Sequence, residues 1–549
     1  MKMNSVFRPK FFTLLKSGIS RQQAIDDTMA GIVVGIVALP LAIAFAVASG
    51  VSPEKGIITA VVAGLIISVF GGSRVQIGGP TGAFIVIVYG IVTQYGIDGL
   101  IISTIMAGVL LVLFGVLKLG ALLKYIPHPL IVGFTSGIAL VIFSTQIADA
   151  FGLEIADTPS GFLAKWQSYF AHIQTFNPVA AAFTAFTILV VVYFPKISRK
   201  IPGSFVAILV TTLAVVLFDL PVTTIESFFG DIPNKIQLTI PQFEWSQLIN
   251  YIPPAITIAL LGGIESLLSA VVADGMIGGN HRSNTELIGQ GIANIVTPFF
   301  GGIPATGAIA RTATNVKNNG RTPIAGIVHA ITLLLIMLFL GNYAKLIPMS
   351  CLAGILIVVA YNMSEWRSFK SVLTTSALDS VVLVTTFLLT VLVDLTVAIE
   401  VGIVLSSLLF MKRMADMSGQ TVGEQIDGDV IDDYSKVPKE ISIYEVSGPL
   451  FFASARTYAE TIRRMGLKSK VLIIRMRHVP FIDTTGMHNL RDTLKTLHAN
   501  DTVIVLSGVN SDVAVAMQKH NMHAYVRKEN MCDNFDDAMQ KALQIVGKA

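Results

Sequence analysis

Two ionisable side chains stand in stretches otherwise apolar enough to sit in hydrocarbon. Arg311 lies in GGIPATGAIARTATN (residues 301–315), and Glu265 in PPAITIALLGGIESLLSAVVAD, with Ser269 four residues later on the same helical face. A lone charge in a lipid core is costly, so each should meet a cavity, a partner or an ion. Arg311 is expected to face a cavity, where a permanent charge with several donors can neutralise an anion. Glu265 is expected to pair with Arg311, to carry a proton or to bind a cation. In one scheme a proton reaching Glu265 frees Arg311 for an anion and so couples the two movements. In the competing scheme sodium sits on Glu265, Ser269 and carbonyls near residues 307–309, because hard cations take oxygen ligands. The guanidinium nearby opposes that second scheme.

Carrying an anion through lipid also requires donors that replace its hydration shell. The stretches VFGGSRVQIGGPTGAF and FFGGIPATGAIA offer a place for them, since each runs Phe-Gly-Gly, a short linker and then Thr-Gly-Ala. A Gly-rich stretch ahead of a short apolar run reads as an extended segment opening a half-helix. The free N–H groups and about half a positive charge at such a helix start favour anions. The expected cradle comprises Gly79, Pro80, Thr81, Gly82 and Ala83 from the first break, and Ala305, Thr306, Gly307 and Ala308 from the second. Arg311 stands just beyond it, and Phe45 is a candidate cavity wall. Pro80 suits a first helical position, having no N–H to leave unpaired. Small residues also serve close helix packing, but their recurrence at corresponding places favours the cradle.

These segments need a membrane-embedded scaffold. The chain of 549 residues is 53% hydrophobic and only 13% charged, with a mean hydropathy of +0.70. Its charge content is about half that of a soluble domain. Runs of spanning length fall near 28–50, 56–70, 99–119, 129–149, 177–194, 203–220, 251–273, 286–300, 322–341, 349–361, 378–394 and 396–411. With the two short runs at the breaks the total is about fourteen. Basic residues at Arg74, Lys118, Lys124, Lys196, Arg199, Lys200, His281, Arg282, Lys317, Arg321, Arg367, Lys370, Lys412 and Arg413 follow even-numbered spans, which places both termini in the cytoplasm. The net charge of +4 is therefore a topology signal, and nucleic acid is not an expected partner. The first 27 residues are polar and basic and lack the apolar centre of a cleavable signal.

A second pair of stretches, KYIPHPLIVGF and KLIPMSCLAGI, recurs in the same order as the two breaks. Corresponding landmarks lie seven spans apart, and an odd number inserts the second half upside down. Interrupted helices at matching places of an inverted repeat mark a secondary transporter, with its site where the breaks meet. Among the other charges, Asp274 reads as an end-of-helix residue, and Asp394 and Glu400 as flanking the hairpin between the last two spans. Asp149 and His329 have no partner that the sequence reveals. Cys351 and Cys532 make neither a disulfide framework nor a zinc site. No nucleophile triad, metal motif or nucleotide loop appears, so neither an enzyme nor a cofactor is expected.

After Met411 a polar linker gives way to short β-rich runs, ISIYEV, VLIIRM and TVIVLSGV, that alternate with helical ones. This reads as a cytosolic α/β domain of about a hundred residues. The expected division is 1–25 for a cytosolic N-terminal segment, 26–414 for transport, 415–439 for a linker and 440–549 for the tail domain.

Taken together, GIVVGIVALPLAIAFAVASG, GGPTGAF, HPLIVGFTSG, SNTELIGQGIANI, GGIPATGAIARTATN and TVLVDLTVAIEVG resemble the SulP anion transporters over nearly the whole chain. The tail resembles a STAS domain, with FIDTTGM at its Asp-Ser-Ser-Gly position. The resemblance implies fourteen spans in a seven-plus-seven inverted repeat. It also implies a core domain that moves like an elevator against a gate domain, anion binding between the third and tenth spans, and a homodimer in the cytoplasmic membrane. In sodium-coupled bicarbonate members an Asp and a Thr take the places of Glu265 and Ser269 and the arginine is absent. This chain departs on all three points and is more similar to proton-coupled sulfate or dicarboxylate members. Thr484 matches the phosphorylated serine of the antagonists that STAS domains resemble, although Asp483 and Thr484 also suit a helix cap. The leading expectation is proton-coupled uptake of a small anion, sulfate foremost. Sodium-coupled bicarbonate uptake, C4-dicarboxylate symport and a membrane sensor signalling through the tail are the alternatives.

Overall fold

The computed structural model describes residues 7–121, 127–155, 159, 161–197, 202–230, 238, 245–393, 395–419 and 437–547. Lys124, Arg199, Lys200, Asp394 and most of the polar linker lie outside the described residues. The chain divides into two compact units, Met1–Val404 and Leu405–Ala549.

In lipid every backbone polar group must be satisfied within the protein, so apolar runs of this length fold as helices. The first unit opens with a short helix, α1 (Lys10–Ser17), followed by α2 (Arg21–Ala48) and α3 (Pro53–Phe70). The third span begins as an extended strand, β1 (Gly78–Gly79), and continues as the first leg of α4 (Ile85–Val116). Gly96, at φ 69° and ψ −172°, breaks α4, and its second leg is the fourth span. Next come α5 (His128–Thr145) with its continuation α6 (Ile147–Phe151), the short α7 (Phe162–Ala171), then α8 (Pro178–Tyr193), α9 (Gly203–Phe218) and α10 (Ile225–Phe229).

The second half repeats the plan: α11 (Ile252–Ile277), α12 (Ser283–Val296), a strand β2 (Thr306–Gly307) leading into α13 (Ile309–Lys317), and α14 (Ile324–Ala344). It ends with α15 (Met349–Met363), a short α16 (Trp366–Thr375), α17 (Ala377–Leu392) and α18 (Leu395–Gly419). Each half thus supplies seven spans, and the third of each is a strand followed by a helix. β1 and β2 pair antiparallel, the relation required of equivalent segments when one half is inverted. Leu189, Leu213, Leu217 and Phe339 are among the exposed apolar side chains that a lipid surface would cover. The short α1, α7, α10 and α16 escaped the sequence reading because each is briefer than a span.

In the second unit four parallel strands, β3 (Ile441–Ser447), β4 (Val471–His478), β5 (Val503–Ser507) and β6 (Met531–Cys532), are ordered β3-β4-β5-β6. The helices α19 (Ala455–Gly466), α20 (Thr484–Ala499), α21 (Ser511–Lys519) and α22 (Phe535–Val546) connect or follow them. The sheet carries two apolar layers, one around Leu472, Ile474, Leu490 and Leu494 and the other around Val471, Ile473, Val505 and Phe535. Burial on both faces explains why the strands read as continuous apolar runs. The two-residue β6 is too short to leave a periodic signal.

Candidate functional site

The two breaks meet. Gly78 stands opposite Gly307 and Gly79 opposite Thr306, and the Ala308 N–H donates to the Ile77 carbonyl at 2.8 Å. Extended backbone inside a helical membrane unit leaves groups unpaired unless another extended segment takes them, and each break does this for the other. Beyond the crossing a helical turn starts at Gly82 after Thr81, while α13 starts at Ile309 after Ala308. The opening N–H groups of each, at Gly82 and Ala83 and at Ile309 to Arg311, have no carbonyl within their own helix to bond.

The structure moves part of the expected cradle. Thr306 is fully buried; its hydroxyl donates to the Gly262 carbonyl at 3.0 Å and lies 2.7 Å from Ser266 Oγ. The Gly307 N–H donates to Ser266 Oγ at 3.1 Å. Thr306, Gly307 and Ala308 therefore tie the crossing together, and the open donors of the second break lie further along at Ile309, Ala310 and Arg311. On the first break, Gly82 faces Phe45 and Met363. A methyl built there would come within 2.8 Å of the Met363 sulfur and 3.5 Å of Phe45 Cε1.

Arg311 reaches beneath the first break. Its side chain is buried, Nη2 donates to the Pro80 carbonyl at 2.9 Å, and Nη1 has no hydrogen-bond partner among the described residues. Glu265, half-buried, accepts from the Thr81 hydroxyl at 2.9 Å. The expected Glu265–Arg311 ion pair does not form. Successive residues of one break satisfy the two groups separately, a carbonyl for the guanidinium and a hydroxyl for the carboxylate. Ser269 is likewise not grouped with Glu265; it is buried and donates to Thr312 Oγ1 at 3.4 Å, which accepts the Ile77 N–H at 3.0 Å.

A set of bracing residues on α12 went unread in the sequence. Glu286, fully buried, accepts on one oxygen from the N–H groups of Gly72 and Ser73 (2.7 and 2.9 Å) and on the other from Gln76 and Gln290 (3.0 and 2.8 Å). Asn294 accepts the Ala305 N–H at 2.9 Å and donates to the Ala305 carbonyl at 2.8 Å. One polar stripe thus holds the entry to both breaks. Its signal was available: Glu286, Gln290 and Asn294 recur every four residues in an apolar helix. Elsewhere, Asp274 caps a turn by accepting from the His281 backbone and ring at 2.7 Å each. Asp149 and Lys165 line a separate cavity of about 650 Å³ with Tyr89 and Tyr169. In the second unit Asp483 caps α20, its Oδ1 accepting the Gly486 N–H at 2.6 Å, and Thr484 is exposed at the first turn.

Comparison with known proteins gives this arrangement a family. The family model described as "Sulfate permease family" matches residues 25–386, and a STAS domain model matches 435–538. The chain belongs to the sulfate permease family. It is 41% identical over 523 residues to "Putative sulfate transporter YvdB" of Bacillus subtilis (strain 168), covering 95% of this chain and 98% of that one. It is also 29% identical over 537 residues to the bicarbonate transporter BicA of Picosynechococcus sp., covering 94% of each. Among solved structures, the overall structure of SLC26A9 superposes with a TM-score of 0.86 at 16% identity, covering 98% of this chain and 93% of that one, a likeness of fold. As a sulfate permease family member the chain is a multi-pass membrane anion transporter with a STAS domain.

Proposed function

We propose that this protein takes up a small oxyanion, sulfate foremost, by proton-coupled secondary transport at the crossed breaks. The observation that carries the reading is Arg311: a buried, permanently charged guanidinium with Nη1 unpartnered, set between two helix starts whose N–H groups favour anions. The sulfate transporter name of the Bacillus subtilis relative supports the substrate, and a doubly charged anion gains most from a fixed charge in a medium of low polarity.

Because Glu265 does not hold Arg311, coupling works differently from a released ion pair. An ionised Glu265, bonded to Thr81 next to Pro80, repels an anion arriving at the same break. At 4 Å and an effective dielectric of 20, two unit charges oppose each other by about 4 kcal/mol, more for a dianion. Protonation removes that repulsion, so the anion and the proton bind together. The break-bearing spans then carry both across by an elevator motion, both termini lie in the cytoplasm, and the protein acts as a homodimer in the cytoplasmic membrane.

The test is uptake by proteoliposomes of labelled sulfate, bicarbonate, C4-dicarboxylate and chloride, each under an inward proton or sodium gradient. Proton-driven accumulation of sulfate is expected, and Glu265→Gln should lose that accumulation while retaining sulfate exchange. Accumulation driven by sodium alone, or an unchanged proton response in Glu265→Gln, would refute the scheme.

A further inference from the structure

Behind the first break, buried polar groups lack protein partners. Among the described residues, Arg311 Nη1 and both ring nitrogens of the fully buried His329 are three such groups. The backbone locates them relative to each other. A methyl built on Gly79 would run into Arg311 Nη1 and lie 3.4 Å from Ala60 Cα; one built on Gly64 would lie 3.4 Å from His329 Nδ1 and 3.2 Å from the Gly78 carbonyl. Ala60 and Gly64 are successive turns on one face of α3. The guanidinium and the imidazole therefore both lie along the Gly78–Gly79 dipeptide, beside successive turns of α3.

Among the described residues, the remaining surroundings offer His329 no counter-charge. On α3 the residues there are Ala60, Gly64 and Ser68, and β1 contributes only glycine. Gly31 and Gly35 are among the α2 residues packed against α14. Asp27 lies four residues before Gly31 on α2 and is already engaged, accepting from the Thr322 hydroxyl at 2.5 Å and from the Arg321 and Thr322 N–H groups. Up to Tyr343, α14 has no other ionisable side chain. Glu265, from α11, is taken up by Thr81. Arg311 is thus the charge beside the ring.

We propose that His329 is a second proton site, linked to the anion site through Arg311. With the cradle empty, the guanidinium opposes another positive charge beside the same dipeptide. An anion on Arg311 cancels that field, and a ring nitrogen then takes a proton from solvent hydronium, leaving water behind; the proton departs when the anion does. By linkage, the factor by which the anion raises proton affinity equals the factor by which the proton raises anion affinity. The inference rests on the reading of Arg311 as the anion site. It also settles the charge balance. A dianion entering with one proton moves net negative charge against an inside-negative potential, whereas Glu265 and His329 together supply the two protons that make the step electroneutral.

The test is proton stoichiometry in purified full-length protein: sulfate is added in weak buffer near pH 6.5, close to the ordinary histidine value, and proton uptake is read with an indicator dye beside calorimetric sulfate binding. The wild type should take up about two protons per sulfate bound and His329→Gln about one. In proteoliposomes, proton-driven sulfate uptake should change from electroneutral to carrying negative charge inward, a readout that mere loosening of α14 would not produce. Unchanged stoichiometry in His329→Gln, with Glu265→Gln lowered, would overturn this inference and leave the transport reading intact. No sulfate binding by the wild type would remove that reading and this inference with it. Because the substituted protein must fold, ¹⁵N-histidine spectra of the wild type give a second check. One of its nine histidines, assigned to His329 by its loss in His329→Asn, should pass from neutral ring to imidazolium on sulfate addition, and a ring that stays neutral would overturn the proposal.

Discussion

Among the described residues, Arg311 hydrogen-bonds its surroundings through one nitrogen, Nη2 to the Pro80 carbonyl, which leaves Nη1 for an anion. A charge-assisted hydrogen bond is worth about 1.5–3 kcal/mol. Arg311→Gln should therefore weaken sulfate binding roughly ten- to a hundred-fold, as measured by calorimetry on the purified protein. Folding should be little affected, because glutamine can still donate to a backbone carbonyl and no buried counter-charge is orphaned; the expected melting temperature is that of the wild type. If Glu265 and Arg311 were a buried pair instead, removing the arginine would strand the carboxylate and destabilise the protein by several kcal/mol. The binding loss without a stability loss thus separates the observed geometry from the ion pair that the sequence invited.

At the scale of elements, the crossing depends on what holds its two strands at the right height, and Glu286 on α12 carries much of that task. Glu286→Ala would leave the Gly72 and Ser73 N–H groups and the Gln290 amide without their acceptor, at about 1–3 kcal/mol for each unsatisfied group, while Gln76 keeps its bond to the Ser266 carbonyl. A clear fall in melting temperature and loss of sulfate uptake are expected. Glu286→Gln should be far milder. The carbonyl oxygen of Gln290 is buried and has no donor among the described residues, so this amide can turn over and accept from the new side-chain N–H₂, while Gln76 stays on the Ser266 carbonyl; near-normal stability and uptake would confirm this.

The breaks themselves were legible in the sequence because Gly, Pro and a recurring Thr-Gly-Ala leave a mark that needs no tertiary knowledge. The register within them was not. Whether the free donors sit at Gly307 or at Ile309 depends on Ser266, forty-one residues earlier on another helix, taking the Gly307 N–H. In the same way the cost of a lone buried charge suggested a pairing of Glu265 with Arg311, but their rotamers, which no periodicity encodes, decide that Thr81 and Pro80 satisfy them instead of each other. His329 looked isolated along the chain, since its relation to Arg311 passes through the face of α3.

For the whole molecule, the transport reading requires that the chemistry reside in the first unit, which contains both breaks, Glu265, Arg311 and the α12 brace. The second unit has its own two-layered core around a parallel sheet. It also has its own buried charge pair, Arg475 Nη1 at 3.1 Å from Glu445, with the guanidinium 4.5 Å from the centre of the Phe535 ring. A domain that satisfies its own charges and covers both faces of its sheet does not need the membrane to fold. Removing residues 433–549 should consequently leave a protein that inserts in the membrane and still accumulates sulfate under an inward proton gradient, at a reduced rate. A sensor that signals through its STAS domain would behave otherwise, because the output would vanish with the domain while sulfate binding persisted. Retained accumulation in proteoliposomes decides for transport. Binding without accumulation in the shortened chain, set beside accumulation by the full one, would instead make the STAS domain part of the transport cycle.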